Sequence, residues 1–167
     1  MRTKKLLFAL LAVAVAGIFV GCDDKNEGIT DAPDYGDFVF DTNALTVEAD
    51  DATTSFCLEG HYTVQPDAKV RGQVWVVVSC DDEAAKIVPN YVAGDSGLIH
   101  SLIKFEEGED GIFHHEVSFN PADVTAEAKV TYTVINGEYN YYDITPETLA
   151  SIENKSEVIV TIRPKAE

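Results

Sequence analysis

Basic residues are scarce in this chain of 167 residues, which has 12 lysines and arginines against 29 aspartates and glutamates. The formal net charge is therefore −17. Nucleic acids and anionic lipid headgroups are bound through clusters of lysine and arginine, so the composition argues against both as partners. Cysteine and histidine are also rare, with three and four copies, and no spacing among them resembles a zinc site.

Long apolar runs are absent after residue 20, but one precedes it, at residues 6–20, behind a start with three basic residues. A basic start, an apolar run and then a small residue, here Gly21, are typical of a secretory signal peptide. A transmembrane helix needs about 20 apolar residues, and this run is shorter. We therefore predict that residues 1–21 are removed and that the rest of the chain lies outside the cytoplasm.

The cysteine directly after this run gives the signal a more specific interpretation. Gly21 and Cys22 resemble the lipobox of bacterial lipoproteins, although Phe19 stands where that family usually has leucine. In the family the cysteine is diacylated, the signal is removed and the new amino terminus is acylated. The resemblance implies that Cys22 is the lipidation site, and two or more acyl chains give stable membrane anchoring. The alternative is an ordinary signal peptide followed by a coincidental cysteine.

Acidic residues after Cys22 indicate which membrane carries the anchor. Asp23, Asp24 and Glu27 resemble the export signal of surface lipoproteins in Bacteroidetes-type bacteria. This resemblance implies the outer membrane and the cell surface, with the periplasmic face as the alternative. Residues 22–36 are acidic and turn-rich, and we predict that they form a flexible tether. Without the leader, the chain has 9 basic and 29 acidic residues and a net charge of −20.

From residue 37 onward, apolar and polar residues alternate in short segments separated by turn signals. The pattern predicts an all-β fold over residues 37–167, an antiparallel β-sandwich of seven to nine strands. Thr145, Pro146 and Glu147 have the composition of a helix start, which predicts one short helix near the C-terminus. Trp75 in an apolar strand resembles strand C of immunoglobulin-like domains. That resemblance implies architecture only, because such sandwiches carry many unrelated functions.

Strand partners are predicted mainly from neighbours along the chain. A hairpin of residues 53–64 and 70–80 stays open as a pairing, residues 98–105 and 112–119 are expected to form another hairpin, and Pro89 makes residues 86–92 a short edge strand. In the first hairpin, aligned apolar faces place Cys57 and Cys80 on opposite sides of the sheet. A bulge would bring the two thiols together, so a disulfide between them stays open.

No group of residues in the sequence supports catalysis or metal binding. Residues 94–97, Gly-Asp-Ser-Gly, resemble the nucleophile loop of trypsin-like proteases, but no histidine has that family's context and Leu98 replaces a further glycine. His114 and His115 are neighbours on a predicted strand, so they point to opposite faces and cannot ligate one ion. The acidic turns lack an EF-hand pattern. We predict a protein that is not an enzyme, with no metal and no cofactor.

The tyrosines after Gly137 are the candidate ligand-binding residues. Tyr139 and Tyr141 are two positions apart and are expected to share one face of a strand. Exposed aromatic rings beside carboxylates and amides are typical of sugar binding, although strand tyrosines also pack their rings for structural reasons. We therefore predict a lipid-anchored extracytoplasmic binding module with glycans as the candidate ligand. The alternative is a structural or assembly lipoprotein, such as a fimbria-associated or outer-membrane complex subunit, that engages a protein partner.

Overall fold

The computed structural model describes residues 35–63, 69–88, 97–137, 139–140 and 143–165. This part of the chain contains nine strands, two short α-helices and one turn of 3₁₀ helix at Pro121–Asp123. In chain order the strands and α-helices are β1 (Asp37–Phe40), β2 (Ala44–Glu48), β3 (Ser55–Thr63), β4 (Val74–Cys80), α1 (Ala84–Ile87), β5 (Ile99–Ile103), β6 (Glu106–Glu107), β7 (Phe113–Ser118), β8 (Ala128–Ile135), α2 (Pro146–Ser151) and β9 (Lys155–Arg163).

The strands form two sheets, in the orders β1-β3-β7-β6 and β2-β9-β8-β4-β5. Neighbouring strands are antiparallel except β2 and β9, which run parallel with Ala44 opposite Ile159. The first order corresponds to the ABED sheet of immunoglobulin domains. The second corresponds to their GFC sheet, extended by one strand on each side. The predicted all-β, immunoglobulin-like sandwich is therefore confirmed, as is the short helix near the C-terminus, α2.

Alternating apolar side chains of the two sheets meet in one core. Phe38 in β1 is fully buried, and its ring centroid lies 5.4, 5.3 and 4.6 Å from those of Phe40, Tyr62 and Phe105. Burying a side chain of this size contributes roughly 1.5–3 kcal/mol to folding. The aliphatic part of the core is formed by residues that are almost wholly buried: Leu58, Val76, Val130, Val158, Val160 and Ile162.

A second, smaller cluster lies on the outer face of the five-stranded sheet, beneath α2. Its buried members are Val77, Leu98, Ile135, Ile144 and Ile152. The helix begins with a capping box, in which the Thr145 hydroxyl accepts from Thr148 N and the Thr148 hydroxyl accepts from Thr145 N. Since Val76 and Val77 are both buried, β4 is apolar on both faces, as the sequence predicts for a central strand.

The outer edge of β1 is bound by side chains from the other sheet. Phe38 N donates to Asn136 Oδ1 at 2.9 Å, and Asn136 Nδ2 donates to Phe38 O at 3.0 Å. Two residues along, Phe40 N donates to Ser156 Oγ at 2.9 Å. Asn136 directly follows β8 and Ser156 belongs to β9, so these bonds connect the sheets. The turn predicted at Asn136 is followed by Gly137 with a positive φ of 94°.

The hairpin predicted at residues 98–105 and 112–119 is wrong, and the open pairing of residues 53–64 with 70–80 does not form. β3 pairs with β1 and β7, and β4 pairs with β5 and β8, so the strands at residues 55–64 and 70–80 lie in opposite sheets. Their apolar faces meet across the core instead of lying side by side. β5 likewise pairs with β4, and β7 pairs with β3 and with the two-residue strand β6, not with β5.

The prediction of an edge strand at residues 86–92 is also wrong for its first two residues, which belong to the helix α1. Asp81 Oδ1 accepts a hydrogen bond from Ala84 N at 2.8 Å, which satisfies a first-turn donor of α1. Ala84 and Ile87 are buried on the core side of this helix. A helical turn thus replaces the strand because it buries two apolar residues three positions apart. Residues 89–96 lie outside the described part.

Among the described residues, no helix is long and apolar enough to cross a membrane. Residues 1–34 lie outside that part of the chain. The signal peptide at residues 1–21, the lipidation of Cys22 and the part of the predicted tether (residues 22–36) that ends at residue 34 therefore stay predictions. The last two tether residues, Tyr35 and Gly36, pair with Lys69 of the folded domain instead.

Candidate functional site

Tyr139 is the predicted ligand-binding residue that the structure describes, and its side chain is 41% exposed. The expected strand is absent at residues 139–140, because Asn140 begins a turn instead. Asp143 N donates to Asn140 O at 3.0 Å, and Asn140 Nδ2 donates to Asp143 Oδ2 at 2.6 Å. Tyr139 therefore lies in a loop, and the argument from a shared strand face does not apply to it. Tyr141 and Tyr142 lie outside the described residues.

Polar side chains converge on the outer face of the four-stranded sheet, where β3 pairs with β7. Cys57 and Glu59 are two positions apart on β3 and therefore share a face. Glu59 lies directly opposite His114 of β7, and Cys57 lies opposite Glu116. The alternation that sends Phe56 and Leu58 into the core thus sends these four polar side chains outward.

Three of these side chains bring different donor atoms together. Cys57 Sγ lies 4.0 Å from His114 Nδ1, and Glu59 Oε1 lies 3.5 Å from the same nitrogen. The three atoms all lie within 4.8 Å of one another. Cys57 and Glu59 are exposed and His114 is half-buried. We call this group the Cys57–Glu59–His114 cluster.

The neighbouring polar groups already have partners on the same face. Ser55 Oγ donates to Glu116 Oε1 at 2.5 Å, and His61 Nδ1 lies 2.6 Å from Asp41 Oδ1. A groove of about 800 Å³ runs beside the cluster. Its lining includes Ser55, Cys57, Lys104, Glu106, His114 and Glu116.

The cluster is not arranged as a cysteine-histidine-acid catalytic set. In such a set the nucleophile and the acid contact opposite nitrogens of the imidazole ring, whereas Cys57 and Glu59 both approach Nδ1 of His114. A reactive cysteine also has a lowered pKa. Partial burial, and then the charges of Glu59 and Glu116, instead raise the pKa of the Cys57 thiol.

His115 points to the other side of β7, as the sequence predicts for two neighbouring strand residues. Its ring centroid lies 5.6 Å from that of Phe105 in the core. Burial lowers the pKa of His115, which favours the neutral ring. His114 and His115 therefore do not belong to one site.

No disulfide joins Cys57 and Cys80, and both residues carry thiols. β3 and β4 belong to different sheets. The pairing that the sequence left open depended on a hairpin that does not form.

Sequence reasoning missed the cluster because it assigned β3 the wrong partner. Cys57 and His114 are 57 positions apart. The alternation of β3 predicts that Cys57 and Glu59 share a face, and that signal was available. The strand that lies beside them depends on the order of the sheet, which short-range patterns do not specify.

The comparisons with known proteins give little beyond the fold. No protein-family model matches the chain, and no curated protein matches it. Among solved structures, the chain is similar to the crystal structure of the Calx CBD2 domain, with 16% identity and a TM-score of 0.31. The match covers 81% of this chain and 90% of that one. A similarity this low carries no argument about function.

Proposed function

We propose that this chain is a non-catalytic binding module, held outside the cytoplasm by a lipid anchor on Cys22. The observation that carries the proposal is the apolar run at residues 6–20 that ends at Gly21-Cys22. A signal peptide supplies the export and the cysteine supplies the acylation site. The β-sandwich that starts with β1 at Asp37 is a folded domain a short tether away from that anchor.

We further propose that the ligand is a neutral glycan and that Tyr139 contributes a stacking surface. Its exposed ring is followed by Asn140, and the amide of Asn140 is held by the carboxylate of Asp143. A ring beside an amide and a carboxylate matches the two parts of a sugar, its apolar ring face and its hydroxyl groups. The net charge of −20 without the leader opposes anionic ligands.

Substitution of Cys22 tests the anchor. We expect cells that express the chain to incorporate labelled palmitate into it, and we expect Cys22→Ser to abolish that incorporation because serine offers no thiol for acylation. Cys57→Ser is the matched control and should keep the label, since Cys57 lies in the folded domain. Labelled Cys22→Ser protein would contradict the proposal.

A glycan array, probed with the full chain in detergent, tests the ligand. We expect binding to a neutral glycan that weakens about two- to tenfold in Tyr139→Ala, because stacking on an aromatic ring is worth roughly 0.5–1.5 kcal/mol. Tyr35→Ala is the control, since Tyr35 is 38% exposed and belongs to a different loop, where Arg71 lies over its ring. An array without hits, or equal binding by Tyr139→Ala, would overturn the glycan assignment and leave the anchor untouched.

A protein partner is the second candidate, and one feature of the sheet favours it. β5 is an edge strand with the sequence Ile-His-Ser-Leu-Ile, and its Leu102 is 46% exposed. Edge strands without charged residues are templates for pairing with another chain. An empty glycan array, together with a partner from the outer membrane that Leu102→Lys fails to capture, would favour this function.

A further inference from the structure

The Cys57–Glu59–His114 cluster has no part in the proposed anchor or glycan site, yet it combines a thiol, a carboxylate and an imidazole. We propose that these three side chains bind one divalent transition-metal ion of the zinc class, with a fourth position open to water or an external ligand. Zinc sites are built from these three ligand types, and three protein ligands with one open position are typical of accessible sites.

The distances in the cluster are close to those that zinc requires. Zinc bonds of about 2.3 Å to sulfur and 2.0–2.2 Å to nitrogen and oxygen place tetrahedral ligand atoms about 3.4–3.6 Å apart. His114 Nδ1 already lies 3.5 Å from Glu59 Oε1 and 4.0 Å from Cys57 Sγ. The third pair, Cys57 Sγ and Glu59 Oε1, lies within 4.8 Å, so binding requires the thiol to rotate toward the other two ligands.

The distances between the side-chain atoms of the cluster fit metal ligands better than they fit hydrogen bonds. An N–H···O bond spans 2.7–3.2 Å, whereas the His114 to Glu59 distance is 3.5 Å. Cys57 and Glu59 also approach one nitrogen, Nδ1, which can hold a single proton. One ion between the three atoms would satisfy all of them at once.

The backbone that carries the ligands is regular sheet. Cys57 and Glu59 of β3 pair with Glu116 and His114 of β7, and His114 also pairs with Glu106 of β6. Sites on regular strands hold their ligands more precisely than sites on loops. The ligands therefore need little reorganisation when the ion arrives.

The turn after β6 packs against the second nitrogen of the His114 ring. A Cβ atom added to Gly108 would lie 2.6 Å from His114 Nε2 and 3.0 Å from Asp110 Oδ1. The glycine thus lets the turn approach the Nε2 side of the ring while Nδ1 faces Cys57 and Glu59.

The charge of the ligands and the softness of the thiolate sulfur determine which metal ion the cluster binds. A Cys57 thiolate and the Glu59 carboxylate together neutralise a divalent cation, and Glu106 and Glu116 flank the site. On binding, the S–H bond of Cys57 breaks, a sulfur–metal bond forms and the proton leaves to solvent, with no change in oxidation state. The soft thiolate selects zinc-class ions over Ca²⁺ and Mg²⁺, which prefer oxygen ligands.

Titration of the full chain with Co²⁺, followed by Zn²⁺, tests this inference. Co²⁺ is the spectroscopic probe, because a thiolate-to-cobalt charge-transfer band reports the Cys57 ligand directly. We expect one equivalent to bind, Zn²⁺ to displace it, and Ca²⁺ to have no effect. Cys57→Ser should lose the band, and His114→Ala should weaken Co²⁺ binding by at least about a hundredfold, since second-shell losses alone reach that size.

Two matched variants and a folding check keep the test decisive. His61→Ala removes an outward-facing histidine that lies in β3 and is paired with Asp41. Cys80→Ser removes the other thiol of the sandwich. Both should bind Co²⁺ like the original chain, and all four variants should unfold at a similar temperature without metal. A band that survives Cys57→Ser, a band that disappears with Cys80→Ser, or no saturable binding below about 1 mM would overturn the inference.

Discussion

Asn136→Ala is expected to lower the free energy of unfolding by about 2–5 kcal/mol, because two buried backbone groups lose their partners at once. Phe38 N donates to Asn136 Oδ1 and Phe38 O accepts from Asn136 Nδ2. The Asn136 side chain therefore satisfies both the backbone N–H and the backbone C=O of Phe38 in β1. Leaving a buried donor or acceptor unpaired costs about 1–3 kcal/mol each. Urea unfolding followed by fluorescence of Trp75, the single tryptophan, measures the change.

Two other asparagine variants show whether the loss comes from these bonds. Asn136→Asp keeps an acceptor for Phe38 N but places a buried carboxylate against Phe38 O, so at neutral pH we expect a loss at least as large as that of Asn136→Ala. Asn154→Ala removes an exposed amide that donates to Asp37 Oδ2 at 3.2 Å, and its effect should stay within about 0.5 kcal/mol. If Asn136→Ala costs no more than Asn154→Ala, the link between the sheets contributes nothing to stability.

Phe38→Ala is expected to cost about 3–5 kcal/mol, which is the usual range for truncation of a buried phenylalanine. The ring is 0% exposed and lies among Phe40, Tyr62 and Phe105. Three rigid rings around the space limit how far the core can collapse into the cavity. Urea unfolding at a single temperature gives the value, and an unchanged m-value indicates that the transition remains comparable.

A substitution at Gly60 tests the packing around Phe38 more directly, because Gly60 faces the Phe38 ring from the neighbouring strand β3. A Cβ atom at Gly60 would lie 2.5 Å from Phe38 Cζ and 2.7 Å from Val39 O. Gly60→Ala alone should therefore be destabilising by about 1–3 kcal/mol. In the Phe38→Ala background the clash with the ring is gone, so Gly60→Ala should cost less there. Strictly additive losses would contradict this account of the contact.

Strand positions could be predicted from the sequence, because burial on one side imposes a period of two. The predicted strand at residues 128–135 coincides with β8 (Ala128–Ile135), and the predicted helix start coincides with the capping box at Thr145. Strand partners could not be predicted, because the period reports which side of a strand is buried and not what lies beside it. β3 and β4 follow one another in the chain and each places an apolar face in the core, yet they belong to opposite sheets.

Because strand partners could not be predicted, the sequence identified one candidate site and missed the other. The exposure of Tyr139 follows from a turn-rich local sequence, whereas the Cys57–Glu59–His114 cluster needs the β3–β7 pairing before its third member can be named. A sequence scan for metal sites searches for short spacings between ligands. Ligands that meet across a sheet have no such spacing.

The parallel pairing of β2 with β9 has a kinetic consequence. Glu48 lies opposite Arg163, so this contact spans most of the folded domain along the chain, and closing so long a loop is slow. Domains dominated by such high-contact-order pairings fold in milliseconds to seconds. If the chain is exported as proposed above, the five-stranded sheet cannot be completed until β9, its last strand, has crossed the membrane.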